Sequence, residues 1–185
     1  MTNAAVKQNR KLSVKAQTMA TLIAIVAAVA IPQIFHVMGA ISGLGTALGE
    51  TFLPMHLPIL LVGLLAGPYA GAIAGLVSPL ISFALTAMPG VAMLPFMMIE
   101  LCVYGLTTGL LANVKMPTIY KVVIAQIAGR AVRALAILAA VYLFANSAIS
   151  VATIWLSIST GIFGLALQWI LLPLIMYRVE NAKQN

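Results

Sequence analysis

Charge is what this sequence has least of. Only 7% of its 185 residues are charged, and just three are acidic: Glu50, Glu100 and Glu180. Soluble domains carry about 25% charged residues, so a water-facing surface cannot be built over this chain. Cysteine is scarcer still. Cys102 stands alone, which excludes an internal disulfide, and within its apolar run it reads as a small buried hydrophobe. Two histidines and that one cysteine, scattered along the chain, give no ligand spacing, so no metal is expected. A phosphate-binding Gly-Lys-Ser/Thr loop is missing, so the chain cannot power transport by itself. No Ser/His/Asp constellation or pair of acids suggests an intramembrane hydrolase, and the protein is not read as an enzyme.

What is present is apolar. Hydrophobic residues make up 63% of the sequence, and the mean hydropathy is +1.11. At about 20 residues per crossing there is room for about six membrane spans and little else. The sequence therefore predicts an all-α integral membrane protein, one six-helix domain over 1–185 with a basic arm over about 1–15. The apolar segments run over 16–37, 54–66, 69–86, 92–112, 118–144 and 151–177. Gly67-Pro68, Met88-Pro89-Gly90, the polar stretch 113–117 and Asn146-Ser147 separate the later ones. A glycine-rich connection over 38–53 joins the first two. The first segment follows Lys7, Arg10, Lys11 and Lys15 as a signal peptide would, but it is long for one and reads as an uncleaved first span.

The formal charge of +7 could suggest nucleic acid, but the basic residues flank apolar segments and form no stripe with aromatics, so no nucleic-acid partner is expected. They orient the chain instead. With the N-terminus in the cytoplasm, Lys7, Arg10, Lys11, Lys15, Lys115, Lys121, Arg178 and Lys183 all fall inside. The opposite connections hold no Lys or Arg. Both termini are thus expected in the cytoplasm, with the lipid bilayer as solvent.

Three charges fall within the spans: Glu100, Arg130 and Arg133. An unpaired ion in hydrocarbon costs several kcal/mol, so such residues are a functional-site hypothesis by default. Helical rise puts Glu100 roughly 12 Å and Arg133 roughly 16 Å from the outer ends of their spans, with Arg130 a turn deeper. If Glu100 pairs with one arginine, the other can fork an anionic ligand; the competing reading is a purely structural ion cluster. His56, Tyr104 and Trp155 lie towards the same outer face, as do His36 and Glu50. Trp155 also suits an aromatic belt. The methionines at 88, 93, 97 and 98 suit either core filling or an apolar pocket wall. Small residues recur at four-residue spacing: Ala16, Ala20, Ala24 and Ala28 in the first span, then Gly63, Gly67, Gly71 and Gly75. Such stripes let helices approach closely in lipid, within the bundle or against a partner.

These residues resemble a family. The basic N-terminus, six spans and Ala-x-x-x-Ala stripe are similar to substrate-binding S components of energy-coupling factor (ECF) transporters. The segments from Leu53-Pro54-Met55-His56-Leu57-Pro58 to Gly67-Pro68-Tyr69-Ala70-Gly71, Met88-Pro89, Ile99-Glu100-Leu101-Cys102-Val103-Tyr104-Gly105 and Gly129-Arg130 resemble its pantothenate-type branch. The resemblance implies high-affinity capture of a vitamin, pantothenate first, another vitamin or a precursor such as a hydroxymethylpyrimidine second. It implies a transmembrane coupling subunit and two cytoplasmic ATPases as partners, which hydrolyse ATP, leaving this chain without a cofactor in a bacterial cytoplasmic membrane. It further implies docking through Ala16, Ala20 and Ala24, a ligand-covering loop at 38–53, and contacts from Glu100, Tyr104, Arg130 and Arg133. A stand-alone secondary carrier is the alternative outside the family, and the lack of a visible inverted repeat weakens it.

Overall fold

The computed structural model describes residues 12–182. Lys7, Arg10 and Lys11 of the basic arm, and Lys183, lie outside the described residues. Helix is the only regular structure among those described, in the order α1 Val14–Ser42, α2 Ala47–Phe52, α3 His56–Ala66, α4 Pro68–Thr86, α5 Leu94–Leu111, α6 Thr118–Tyr142, α7 Ala152–Thr160 and α8 Ile162–Ala182. Among the described residues six stretches are long and apolar enough to cross a membrane, with α2 and α3 together forming the second, Ala47–Ala66.

Local signals set the helix ends. The Ser13 hydroxyl accepts the Ala16 amide at 3.2 Å and caps α1. Gly43, at φ 74°, stops α1 in a left-handed turn. Pro68 opens α4 in its first turn, where its missing N–H costs nothing.

Backbone proximity holds the bundle together. A Cβ on Gly71 would collide with the Gly105 backbone, one on Gly75 with that of Leu101, and one on Gly63 with Thr108. The pairs 71/105 and 75/101 run in opposite directions along the chain, so α4 and α5 are antiparallel. Lipid offers no hydrophobic drive between helices, and this closeness supplies dispersion contacts in its place. The α1 helix packs on α3 and α4, α5 on α3, α4 and α6, and α6 on α8. Buried Ile59, Leu60, Leu101, Tyr104, Val122 and Leu172 fill the centre. Leu22, Ile23, Val26, Ile127, Leu135 and Ile170 face outward, as lipid-facing side chains do.

Three expectations change. The 38–53 connection is largely helical: α1 continues to Ser42, and α2 occupies Ala47–Phe52. The sixth span is broken at Gly161, so α8 crosses alone and α7 is a short helix with no buried residue. The alanine stripe faces inward. Ala24 and Ala28 are buried in the core, so a partner could reach this face only near Ala16 and Ala20, which are half-buried.

Candidate functional site

The three intramembrane charges meet. On α5, Glu100 is fully buried. Its Oε2 accepts Arg133 Nη1 at 2.7 Å, and its Oε1 lies 3.2 Å from Arg130 Nε. Residues 130 and 133 are about one helical turn apart on α6, so both guanidinium groups reach the same carboxylate. Tyr104, one turn after Glu100 on the same helix, donates its hydroxyl to Glu100 Oε1 at 3.0 Å and accepts from Arg130 Nε at 3.3 Å. Glycine at 129 makes this possible: a Cβ there would overlap the Tyr104 ring. The Gly129-Arg130 pair thus seats an aromatic ring against the helix and places a cation beside its hydroxyl.

Arg130 has a second task. Its Nη1 donates to the Ser157 carbonyl at 2.7 Å. Because α7 ends at Thr160, that carbonyl belongs to the last turn and lacks a helical partner. A cation at a helix C-terminus is favourable on both hydrogen-bond and dipole grounds.

One carboxylate and two guanidinium groups leave a net charge of +1 in a site whose arginine side chains are only 11% and 12% exposed. Arg130 Nη2 and Arg133 Nε are buried without hydrogen-bond partners. A slot between α6 and α7, lined by Arg130, Arg133, Ile137, Ile154 and Ser157, has a volume of about 10 Å³, room for about one water. The site therefore has charge and donors to spare but is closed.

His56, in the first turn of α3, is 3% exposed, and neither ring nitrogen has a hydrogen-bond partner. Its ring centroid lies 5.5 Å from that of Tyr104, which links it to the ion cluster. It also lines a larger chamber of about 100 Å³ beneath the 47–55 segment, with His36, Ser82, Met55, Met88 and Met97. The peptide bond between Met88 and Pro89, both at the chamber wall, is cis.

The structure thus gathers Glu100, Tyr104, Arg130, Arg133 and His56. Trp155 is elsewhere, 73% exposed on α7, a position suited to the aromatic belt and not to a ligand contact. Glu50 pairs with Thr46 at 3.0 Å on exposed α2 and takes no part.

Sequence reasoning passed over Ser82, Ser157 and a second buried polar network. Gln126 Nε2 donates to Gln168 Oε1 at 2.9 Å, and Trp169 Nε1 donates to Gln126 Oε1 at 2.6 Å. Gln168 Nε2 reaches the Leu53 carbonyl at 3.4 Å. The signal was available: residues 126, 130 and 133 recur at helical spacing and put three polar groups on one face of α6. Among the described residues no group of three or more His, Cys, Asp and Glu side chains could hold a metal ion. No family model, curated protein or solved structure matches this chain.

Proposed function

We propose that this protein is the vitamin-binding S component of an ECF-type importer, with pantothenate as its ligand. The observation that carries the reading is the buried +1 cluster: one carboxylate shared by two arginines, with Arg130 Nη2 and Arg133 Nε unsatisfied. Such a cluster is complete only with one further negative group. A monocarboxylate supplies that charge and accepts those donors, and its bond to an arginine is of the strong, charge-assisted kind. The balance favours pantothenate over an uncharged hydroxymethylpyrimidine, which would leave the positive charge unanswered.

The wall that yields is α7. It has no buried residue, and its polar attachment to α6 is the Arg130–Ser157 pair. A carboxylate competing for Arg130 weakens that attachment as it enters. In this reading the N- and C-termini are cytoplasmic, the site faces the outer half of a bacterial cytoplasmic membrane, and the 43–55 segment covers it. ATP hydrolysis by two ATPase subunits, through a transmembrane coupling subunit, resets the cycle.

The deciding experiment is calorimetric titration of the purified protein with pantothenate, beside uptake in cells with and without a coupling subunit and its ATPases. Saturable binding and partner-dependent uptake are expected. Uptake into proteoliposomes containing this chain alone would instead make it a stand-alone carrier.

A further inference from the structure

The excess positive charge of the cluster is not balanced by any other side chain. The sequence holds only three acidic side chains. Glu100 is already shared by both arginines. Glu50 pairs with Thr46 on exposed α2, and Glu180 is exposed in the last turn of α8. A guanidinium group does not give up its proton in a protein, and an ion held away from water without a partner costs several kcal/mol. The balancing charge must therefore come from solution.

The slot between α6 and α7 restricts what that charge can be. Its volume of about 10 Å³ holds about one water-sized body. A carboxylate, with one carbon and two oxygens, is too large while α7 is in place, and so is a phosphate headgroup. A monatomic ion is what remains. The lining suits one: Arg130 and Arg133 supply the charge, and Ala134, Ile137, Ile154 and Ile158 form an aliphatic wall. Arg130 Nη2 and Arg133 Nε are buried without partners, and a spherical acceptor takes hydrogen bonds from any direction. Chloride is the abundant monatomic anion, and water holds it less tightly than fluoride. Guanidinium is weakly hydrated as well, so both partners shed water at comparatively low cost. Chloride is somewhat wider than water, and α7, with no buried residue, can give by that margin.

Resting on the reading of the cluster as an anion site, we propose that this slot binds chloride, which Arg130 and Arg133 hold until a carboxylate displaces it. One carboxylate, two guanidinium groups and one chloride sum to zero. Each vitamin bound then releases one chloride, and the site is neutral both before and after the exchange. In a bilayer, where an unanswered charge is expensive, that neutrality stabilises the ligand-free protein. It also couples vitamin affinity to salt composition. By mass action, an ion that occupies the ligand-free form raises the apparent Kd for its competitor.

The test replaces sodium chloride with sodium gluconate at constant ionic strength, which keeps the screening of surface charge fixed. Without vitamin, chloride is expected to raise the melting temperature of the wild type saturably, and gluconate is not. Calorimetric titration with pantothenate should give a several-fold larger Kd in chloride. Arg133→Gln removes the excess charge, so its melting temperature should not respond to the exchange; a response equal to that of the wild type overturns the proposal. If pantothenate binds equally well in both salts and the melting temperatures agree, the chloride assignment falls and the vitamin reading survives. If chloride stabilises the wild type and pantothenate does not bind, the vitamin reading falls and the chloride site stands. Should Arg133→Gln fail to fold, wild-type crystals grown in bromide decide. An anomalous peak between α6 and α7 is expected, and its absence from that slot overturns the inference.

Discussion

Glu100 and Arg133 are joined by a 2.7 Å charge-assisted hydrogen bond between α5 and α6, and the two ends of this contact differ in how fully they are partnered. Glu100 is wholly enclosed, whereas each arginine keeps an unpartnered nitrogen. The carboxylate is therefore the organiser and the guanidinium groups are the donors left over.

Removing the organiser should damage the fold. Glu100→Ala leaves two buried cations without their anion, a change that costs about 3–5 kcal/mol in buried pairs. A lower melting temperature in detergent and poorer recovery of folded protein are expected. Glu100→Gln should be milder, because the amide oxygen still accepts one bond. Equal stability of Glu100→Ala and wild type would contradict the pairing.

Arg133→Gln should weaken pantothenate binding by about 1.5–3 kcal/mol, the scale of a hydrogen bond to a charged group, or roughly 10- to 150-fold in Kd. Arg130→Gln should do the same and also loosen α7, because it removes the donor to Ser157. Calorimetry on folded variants measures the first effect; hydrogen exchange over 152–160 measures the second. Unchanged affinity in both variants would reduce the cluster to a structural device.

Gly129→Ala forces a methyl group into the Tyr104 ring. Overpacking of this kind costs about 1–3 kcal/mol. Because Tyr104 bonds both Glu100 and Arg130, binding should suffer beyond the loss in melting temperature. A variant that binds normally would show that the ring can shift without disturbing the cluster.

Ala24→Leu tests the alanine stripe. With Ala24 inside the core, the larger side chain should lower the melting temperature, again by about 1–3 kcal/mol of stability, and any loss of uptake should follow from that. Full stability with abolished uptake would return this face to a partner helix.

The spans were readable because long apolar runs broken by Gly-Pro and Pro-Gly have few alternatives. That Glu100 meets an arginine was readable from depth, but depth suggested one partner and a second arginine left free, whereas Arg130 and Arg133 share the two oxygens of the one carboxylate. What was hidden has physical causes. Gly161 lies in a run of apolar and hydroxyl residues, and one glycine does not distinguish a tolerated helical position from a break. The 38–53 connection looked like a loop because its glycines are frequent. Yet only Gly43 and Gly45 among them take left-handed backbone, and Gly39 and Gly49 instead make room for Gly45 and His36. The facing of the alanine stripe could not be read at all, since the same period serves inner and outer contacts. Trp155 was assigned by height, but height says nothing about azimuth.

The glycine contacts among α3, α4 and α5 give the molecule an uneven mechanical character. Those helices are locked backbone to backbone, while α7 leans on the bundle through side chains that water or lipid still touches. Heat or detergent will act first on α7, and the locked core will serve as the fixed frame against which that helix moves. The looseness is thus confined to one short helix at the edge of the bundle, and the backbone-to-backbone contacts among α3, α4 and α5 do not have to change for it to move.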